Sequence, residues 1–159
     1  MIVVTTPTGH IGAQLANDLV AANEAVRVIA RDPARLAPEL RAAVEIVQGS
    51  SDDETVLDRA LAGADSLFHL VPPDVAAPDV TAYYLRFTRP AIAAMKRNRV
   101  TRVVTVSGIG RGVAGKTGLV AAAFAKDEEL ERADLDVRAL SSDGAVSRSA
   151  MVPSTWSAC

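Results

Sequence analysis

Residues able to hold a phosphate or donate to one cluster in two glycine-rich stretches and one pair of arginines. The first stretch is Thr6-Pro7-Thr8-Gly9-His10-Ile11-Gly12. It follows the β-branched run Ile2 to Thr5 and precedes a segment with apolar residues at Ile11, Leu15, Leu19 and Val20, which is helical spacing. Strand, tight loop and helix in that order let a helix N-terminus present unpaired N–H groups and a positive dipole end to a pyrophosphate. Glycine at 9 admits close backbone approach, and glycine at 12 lets the helix pack on the strand. Thr6, Thr8, Gly9, His10, Ile11 and Gly12 are therefore the candidate dinucleotide-binding residues, against the plainer alternative of a strand-to-helix turn. The second apolar run ends in Ala30-Arg31-Asp32-Pro33-Ala34-Arg35. Arginine there pairs with the 2′-phosphate of NADP, whereas a carboxylate serves the 2′-hydroxyl of NAD. Arg31 and Arg35 as a charge-assisted clamp favour NADP (NADPH) over NAD. Asp32 leaves the other assignment open, as does the reading of both arginines as solvated surface charges.

The second stretch, Gly110-Arg111-Gly112-Val113-Ala114-Gly115-Lys116-Thr117, matches G-x-x-x-x-G-K-[ST] in full. A phosphate-cradling role for it is disfavoured. Gly108-Ile109 is an awkward spacer after the preceding strand, and no later strand ends in an Asp that would assist a metal. Elsewhere, His10 and His69 lack the spacing of metal ligands, so no metal site is expected. Ser107 lacks the G-x-S-x-G context of a nucleophile elbow. The run Lys96-Arg97-Asn98-Arg99-Val100-Thr101-Arg102 complements the C-terminal end of a helix, and no aromatic interleaving supports a nucleic-acid partner. Tyr83, Tyr84 and Phe87 have the spacing of a helix packing face.

The elements that must position these groups alternate in type. Strands are expected at 2–5, 26–30, 44–47, 66–71, 102–106 and 136–140. Helices are expected after Gly9, from Asp32-Pro33, over 53–61, over 79–98 with a kink or break near Arg89 before Pro90, and over 119–133. Continuous apolar strands separated by helices mean an α/β fold with a doubly wound (Rossmann-type) parallel sheet, in strand order 3-2-1-4-5-6. Ligands then bind at the carboxyl ends of the strands. That brings in Val71 and Pro72, to pack on a nicotinamide ring, and Ser107, to contact cofactor or substrate. The dinucleotide-binding domain is expected over residues 1–140. Ser141 to Cys159 reads as an irregular Ser/Ala-rich tail, touched down at most through Met151, Val152 and Trp156.

Composition sets the outer bounds. The chain has 159 residues, 49% of them apolar and 23% charged, with a net charge of −2, which gives no broad field for nucleic acid or anionic membrane. Cys159 stands alone, so no internal disulfide can form. The N-terminus has no basic region followed by a long apolar run, and no later run is long enough to span a bilayer. A cytoplasmic protein without a membrane partner is expected.

In combination the motifs resemble the NmrA-like branch of atypical short-chain dehydrogenases. That family has V-T-G-A-T-G-x-I-G where this chain has Val4-Thr5-Thr6-Pro7-Thr8-Gly9-His10-Ile11-Gly12, and V-R-x-x-x-R-D-P where it has Val26 to Pro33. Gly63 to Phe68, Arg102 to Ser107 and Leu135 to Leu140 are also similar. Thr6 replaces the family's first glycine, so the turn must be made another way. Gly49-Ser50 replaces a frequent Gly-Asp. The Tyr-x-x-x-Lys pair of ordinary short-chain dehydrogenases is missing at Tyr83 and Tyr84. Relatives continue into a substrate-binding segment, whereas here Leu140 is followed by the Ser/Ala-rich stretch, so much of a substrate pocket is expected to be missing. The resemblance implies an NAD(P)-binding protein: an NADPH-dependent oxidoreductase acting on a quinone or small carbonyl compound, or else a non-catalytic redox-sensing regulator. It also places Lys126 near a catalytic lysine of some relatives, against the plainer reading of a solvated helical lysine beside Asp127. A sixth strand with an unpaired edge would favour a homodimer.

Overall fold

A computed structural model describes residues 1–108 and 118–141 and the backbone of residues 146–148. The motif Gly110–Thr117 and the rest of the C-terminal tail, with Met151, Val152 and Trp156, lie outside the described residues.

Short apolar runs form a parallel sheet: β1 (Ile2–Val4), β2 (Val26–Ala30), β3 (Glu45–Gln48), β4 (Ser66–His69), β5 (Arg102–Val106) and β6 (Asp136–Leu140). A further strand, β7 (Val146–Arg148), pairs antiparallel with β6. The spatial order is β3-β2-β1-β4-β5-β6-β7, so the doubly wound order expected from the sequence is present and extended by one strand. β7 lies within the stretch expected to be irregular. It occupies the β6 edge that the sequence left open for a second chain.

Among the described residues five helices cross between the strands: α1 (His10–Ala21), α2 (Pro38–Ala43), α3 (Glu54–Leu61), α4 (Val80–Asn98) and α5 (Leu119–Glu131). Local chemistry sets their starts. The Asp53 carboxylate accepts from Thr55 and Val56 N–H, and Asp79 accepts from Ala82 N–H, satisfying amides that have no intrahelical partner. Asp32 caps only a 3-10 turn, Pro33–Arg35, and the helix foreseen there begins later, at Pro38. α4 runs through Pro90 as one element, so of the kink or break expected near Arg89 the break does not occur. Burial of Phe87, Thr88, Ala91, Ala94 and Met95 on both sides of the proline offsets the lost hydrogen bond.

The core forms on both faces of the sheet. One cluster packs Val3, Ile29, Leu67, Val103 and Val137 against α3, α4 and α5, and the other packs Val4, Val28 and Phe68 beneath α1 and α2. A sheet covered on both faces leaves its carboxyl-end rim as the concave place where polar groups can face outward.

Candidate functional site

The centre of that rim is the turn between β1 and α1. Thr6 has φ 53, a left-handed backbone that glycine adopts without strain and a β-branched residue does not. The sequence pointed to a different turn at this position; instead Thr6 takes the glycine-type conformation itself. Gly9 N–H then bonds Thr6 O at 3.1 Å, and the first intrahelical bond is Ala13 N–H to Gly9 O at 2.9 Å. The amides of the exposed residues His10 and Ile11 lie ahead of that bond, and no side chain caps the helix. This donor set suits a diphosphate. Gly12 serves differently: it is buried, and a Cβ on it would stand 2.3 Å from Thr6 O. It lets α1 sit on the turn and lines no part of the cleft.

Two side chains hold the neighbouring strand ends in place. Thr5 Oγ1 donates toward the carbonyls of Phe68 and Leu70 (3.2 and 3.0 Å) and accepts from Leu70 N–H at 2.9 Å, tying the segment after β4 to β1. Thr105 Oγ1 donates to His69 O at 2.9 Å and ties β5 to β4.

A cleft runs along the rim in two parts that share Thr6, Gly9 and Pro72. The part over β2 and β3, about 420 Å³, is polar. Thr8, Arg31 and Arg35 line it, with Ser50, Ser51 and Asp52 following β3 and Arg86 reaching over from α4. Arg86 lies 5.2 Å from the ring centres of both Tyr83 and Phe87 and 3.3 Å from Asp52. The Asp32 carboxylate accepts from Ala34 N–H at 3.0 Å. It is engaged as a cap and is not part of the lining.

The other part, about 520 Å³, is mostly apolar and is lined by His10, Ile11, Leu70, Val71, Val106 and Leu119, among others. Ile11 leaves half its surface exposed there. Ser107, Tyr84 and Lys126 also border it. Lys126, far from a solvated helical lysine, is 1% exposed. Its Nζ donates to Thr105 Oγ1 and to Val106 O (2.8 Å) and lies 2.9 Å from Asp127 Oδ1. Asp127 is fully buried and accepts from Ser107 Oγ. A buried charge survives only when paired and hydrogen-bonded in this way. Behind it, burial and the nearby Lys126 cation push His69 down to about 3, so its ring is neutral.

The structure thus brings Thr6, Thr8, Gly9, His10, Ile11, Arg31, Arg35, Val71, Pro72, Ser107 and Lys126 to one cleft and sets Gly12 beneath it. Sequence reasoning missed Tyr84, Arg86, Asp52, Thr105 and Asp127. Tyr84 and Phe87 do pack in the core, as their spacing indicated. Spacing alone does not tell which ring also reaches the rim. Among the described residues no cluster of three or more His, Cys, Asp or Glu is placed to hold a metal, and no helix is long and apolar enough to cross a membrane.

The sequence model of a family described as NAD(P)H-binding matches residues 7–143. Over 79 residues the chain is 46% identical to a (4-alkanoyl-5-oxo-2,5-dihydrofuran-3-yl)methyl phosphate reductase of Streptomyces griseus, a match covering 50% of this chain and 27% of that protein. The fold superposes on a Citrobacter sp. triphenylmethane reductase complexed with NADP(H) at a TM-score of 0.72, with 19% identity over 88% of this chain and 48% of that one. It superposes on an Escherichia coli NADPH-dependent quinone oxidoreductase complexed with NADPH at 0.70, with 21% identity over 89% and 48%. A Veillonella parvula short-chain dehydrogenase/reductase in complex with NADP gives 0.70, with 17% identity over 88% and 67%. At these identities the structural likeness is one of fold. The chain spans about a quarter of the curated relative and about half of the two reductase structures.

Proposed function

The chain belongs to the NAD(P)H-binding family, and from that premise we propose that it is an NADPH-dependent reductase of the NmrA-like branch, acting on a quinone or another small carbonyl compound. The observation that carries this reading is the division of one cleft into an arginine-rich end and an apolar end with the glycine turn between them. A dinucleotide laid along it would set its diphosphate on the α1 amides and its 2′-phosphate between Arg31 and Arg35. Its nicotinamide would lie against Val71 and Pro72. Arg31 and Arg35 line the polar end of the cleft while Asp32, which caps Ala34 N–H, is not part of that lining, which favours NADP.

When bound, the cofactor supplies the hydride; the chain binds, orients and excludes water. In this reading Lys126 meets a ligand oxygen by exchanging one of its present acceptors for it, and Ser107 holds Asp127, which faces that ammonium.

Titration with NADPH and NADH tests the reading. NADPH should bind more tightly, and Arg31→Ala should weaken it about tenfold, the equivalent of about 1.4 kcal/mol. Equal affinity for the two cofactors removes the clamp, and failure to bind either sinks the proposal. NADPH oxidation with 1,4-naphthoquinone then separates a reductase from a redox-sensing regulator, which would bind without turnover.

A further inference from the structure

Delivering hydride to a carbonyl carbon leaves charge on its oxygen, which needs a proton. The protic side chains bordering the apolar part of the cleft are Thr6, His10, Tyr84, Ser107 and Lys126. Thr6 Oγ1 is sealed from solvent. Ser107 Oγ donates to Asp127, and Lys126 is engaged by Thr105, Val106 O and Asp127. His10 opens α1 at the phosphate turn.

Tyr84 differs from all of these. Its ring is 8% exposed and packs with Val71, Phe87, Ala122 and Ala123, so its position is fixed. Its carbonyl accepts from Thr88 Oγ1 at 2.8 Å, and Thr88 Oγ1 lies 3.2 Å from His69 Nε2, which anchors that turn of α4 to β4. Among the described residues no hydrogen bond engages its hydroxyl, and that oxygen is not among the sealed ones. The phenol oxygen therefore keeps some exposure, on a residue that borders the cleft.

We propose that Tyr84 is the catalytic proton donor to the substrate oxygen, a role that rests on the reductase reading above. The carbonyl carbon receives hydride from the reduced nicotinamide and forms a C–H bond. The carbonyl π pair moves to oxygen, and that oxygen takes the Tyr84 proton. Water at the cleft mouth then reprotonates the phenolate, so the sum is carbonyl, NADPH and one proton giving alcohol and NADP⁺; a quinone gives the hydroquinone by the same sum, the new C–H proton moving to the second oxygen through solvent.

The test compares wild type and Tyr84→Phe for NADPH affinity, thermal stability, turnover of 1,4-naphthoquinone, and binding of benzamide to the NADPH complex. Benzamide offers a carbonyl oxygen without being turned over. Expected are a kcat lower by about 10²-fold, an NADPH affinity within about twofold of wild type, and benzamide binding weakened about fivefold for one lost hydrogen bond. A Phe variant with unchanged kcat overturns the role of Tyr84 and leaves the reductase reading standing. A wild-type protein that binds NADPH but reduces no acceptor removes both. If Tyr84→Phe does not fold, 3,5-difluorotyrosine at position 84 replaces it. A kcat that follows the phenol's acidity supports the proposal, and a kcat indifferent to it overturns it.

Discussion

A threonine at φ 53 is held in a conformation that its branched Cβ resists, and at Thr6 its hydroxyl is also buried without a partner. Removing the side chain relieves both, so Thr6→Gly should raise stability by about 1 kcal/mol, a Tm increase of about 2–4 °C at this chain length. A loss on thermal melting would mean that the Thr6 methyl or hydroxyl contributes more than the backbone strain costs. His69 carries a second consequence. Thr88 Oγ1 donates to Tyr84 O, so the His69 contact requires its Nε2–H to donate, leaving Nδ1 bare and buried. Burial holds its folded value at about 3, below the ordinary 6.5 of a histidine. The unfolded chain therefore binds the extra proton first. Stability from this group is complete above pH 6.5 and declines as pH falls toward 3, with a slope of about 1.4 kcal/mol per pH unit. Urea melts at pH 7 and pH 5 should show a loss about 2 kcal/mol larger in wild type than in His69→Gln. Equal losses would mean that His69 is not the group being titrated.

At the scale of elements, the β1–α1 unit depends on one missing methyl group. Gly12→Ala would place Cβ 2.3 Å from Thr6 O, 2.9 Å from its carbonyl carbon and 3.1 Å from Thr5 O, all backbone that cannot rotate away. The helix start would have to shift, at a cost of about 2–3 kcal/mol, and its amides would leave the rim. Thermal melting and NADPH titration should both register the change; a fully stable variant would show that α1 can slide on the turn without penalty. The role of Gly12 was legible because strand, loop and helix followed one another in sequence. The β-branched runs and the helix over 53–61 were legible for the same reason: each is decided by neighbours along the chain. The Lys126 environment was not. Its acceptors Thr105 and Val106 stand about twenty positions away, and only the β4–β5–β6 register brings them beneath α5. The same applies to Pro90, whose local rule allows a kink or a break, while burial on both sides keeps the helix continuous. β7 was missed because Val146–Arg148 is short and sits in a Ser/Ala-rich stretch; its pairing with Leu140 defines it, not its composition.

Across the whole molecule, a net charge of −2 gives no general attraction for an anionic dinucleotide, so any such attraction must be local. Arg31, Arg35 and Arg86 border the polar end of the cleft with Asp52 as the opposing charge, while the other end is apolar. The winding order separates these ends: the polar end lies over β2 and β3, the apolar end beside β4, β5 and α5, and both meet at the β1 turn. The two parts should therefore bind fragments of the cofactor independently. At about 100 times its Kd a fragment stabilises the fold by about 2.7 kcal/mol, a rise in Tm of about 5–10 °C. Adenosine 2′,5′-bisphosphate should produce that shift in wild type, ADP without the 2′-phosphate a smaller one at equal concentration, and the double variant Arg31→Ala/Arg35→Ala should give the two ligands the same small shift. Nicotinamide mononucleotide should shift the wild type and the double variant alike, because its ring and phosphate meet only the turn and the apolar end. Equal shifts from the two adenosine ligands would mean that the arginines do not read the 2′-phosphate. A nicotinamide response that disappears with the arginines would mean that the two ends act as one site.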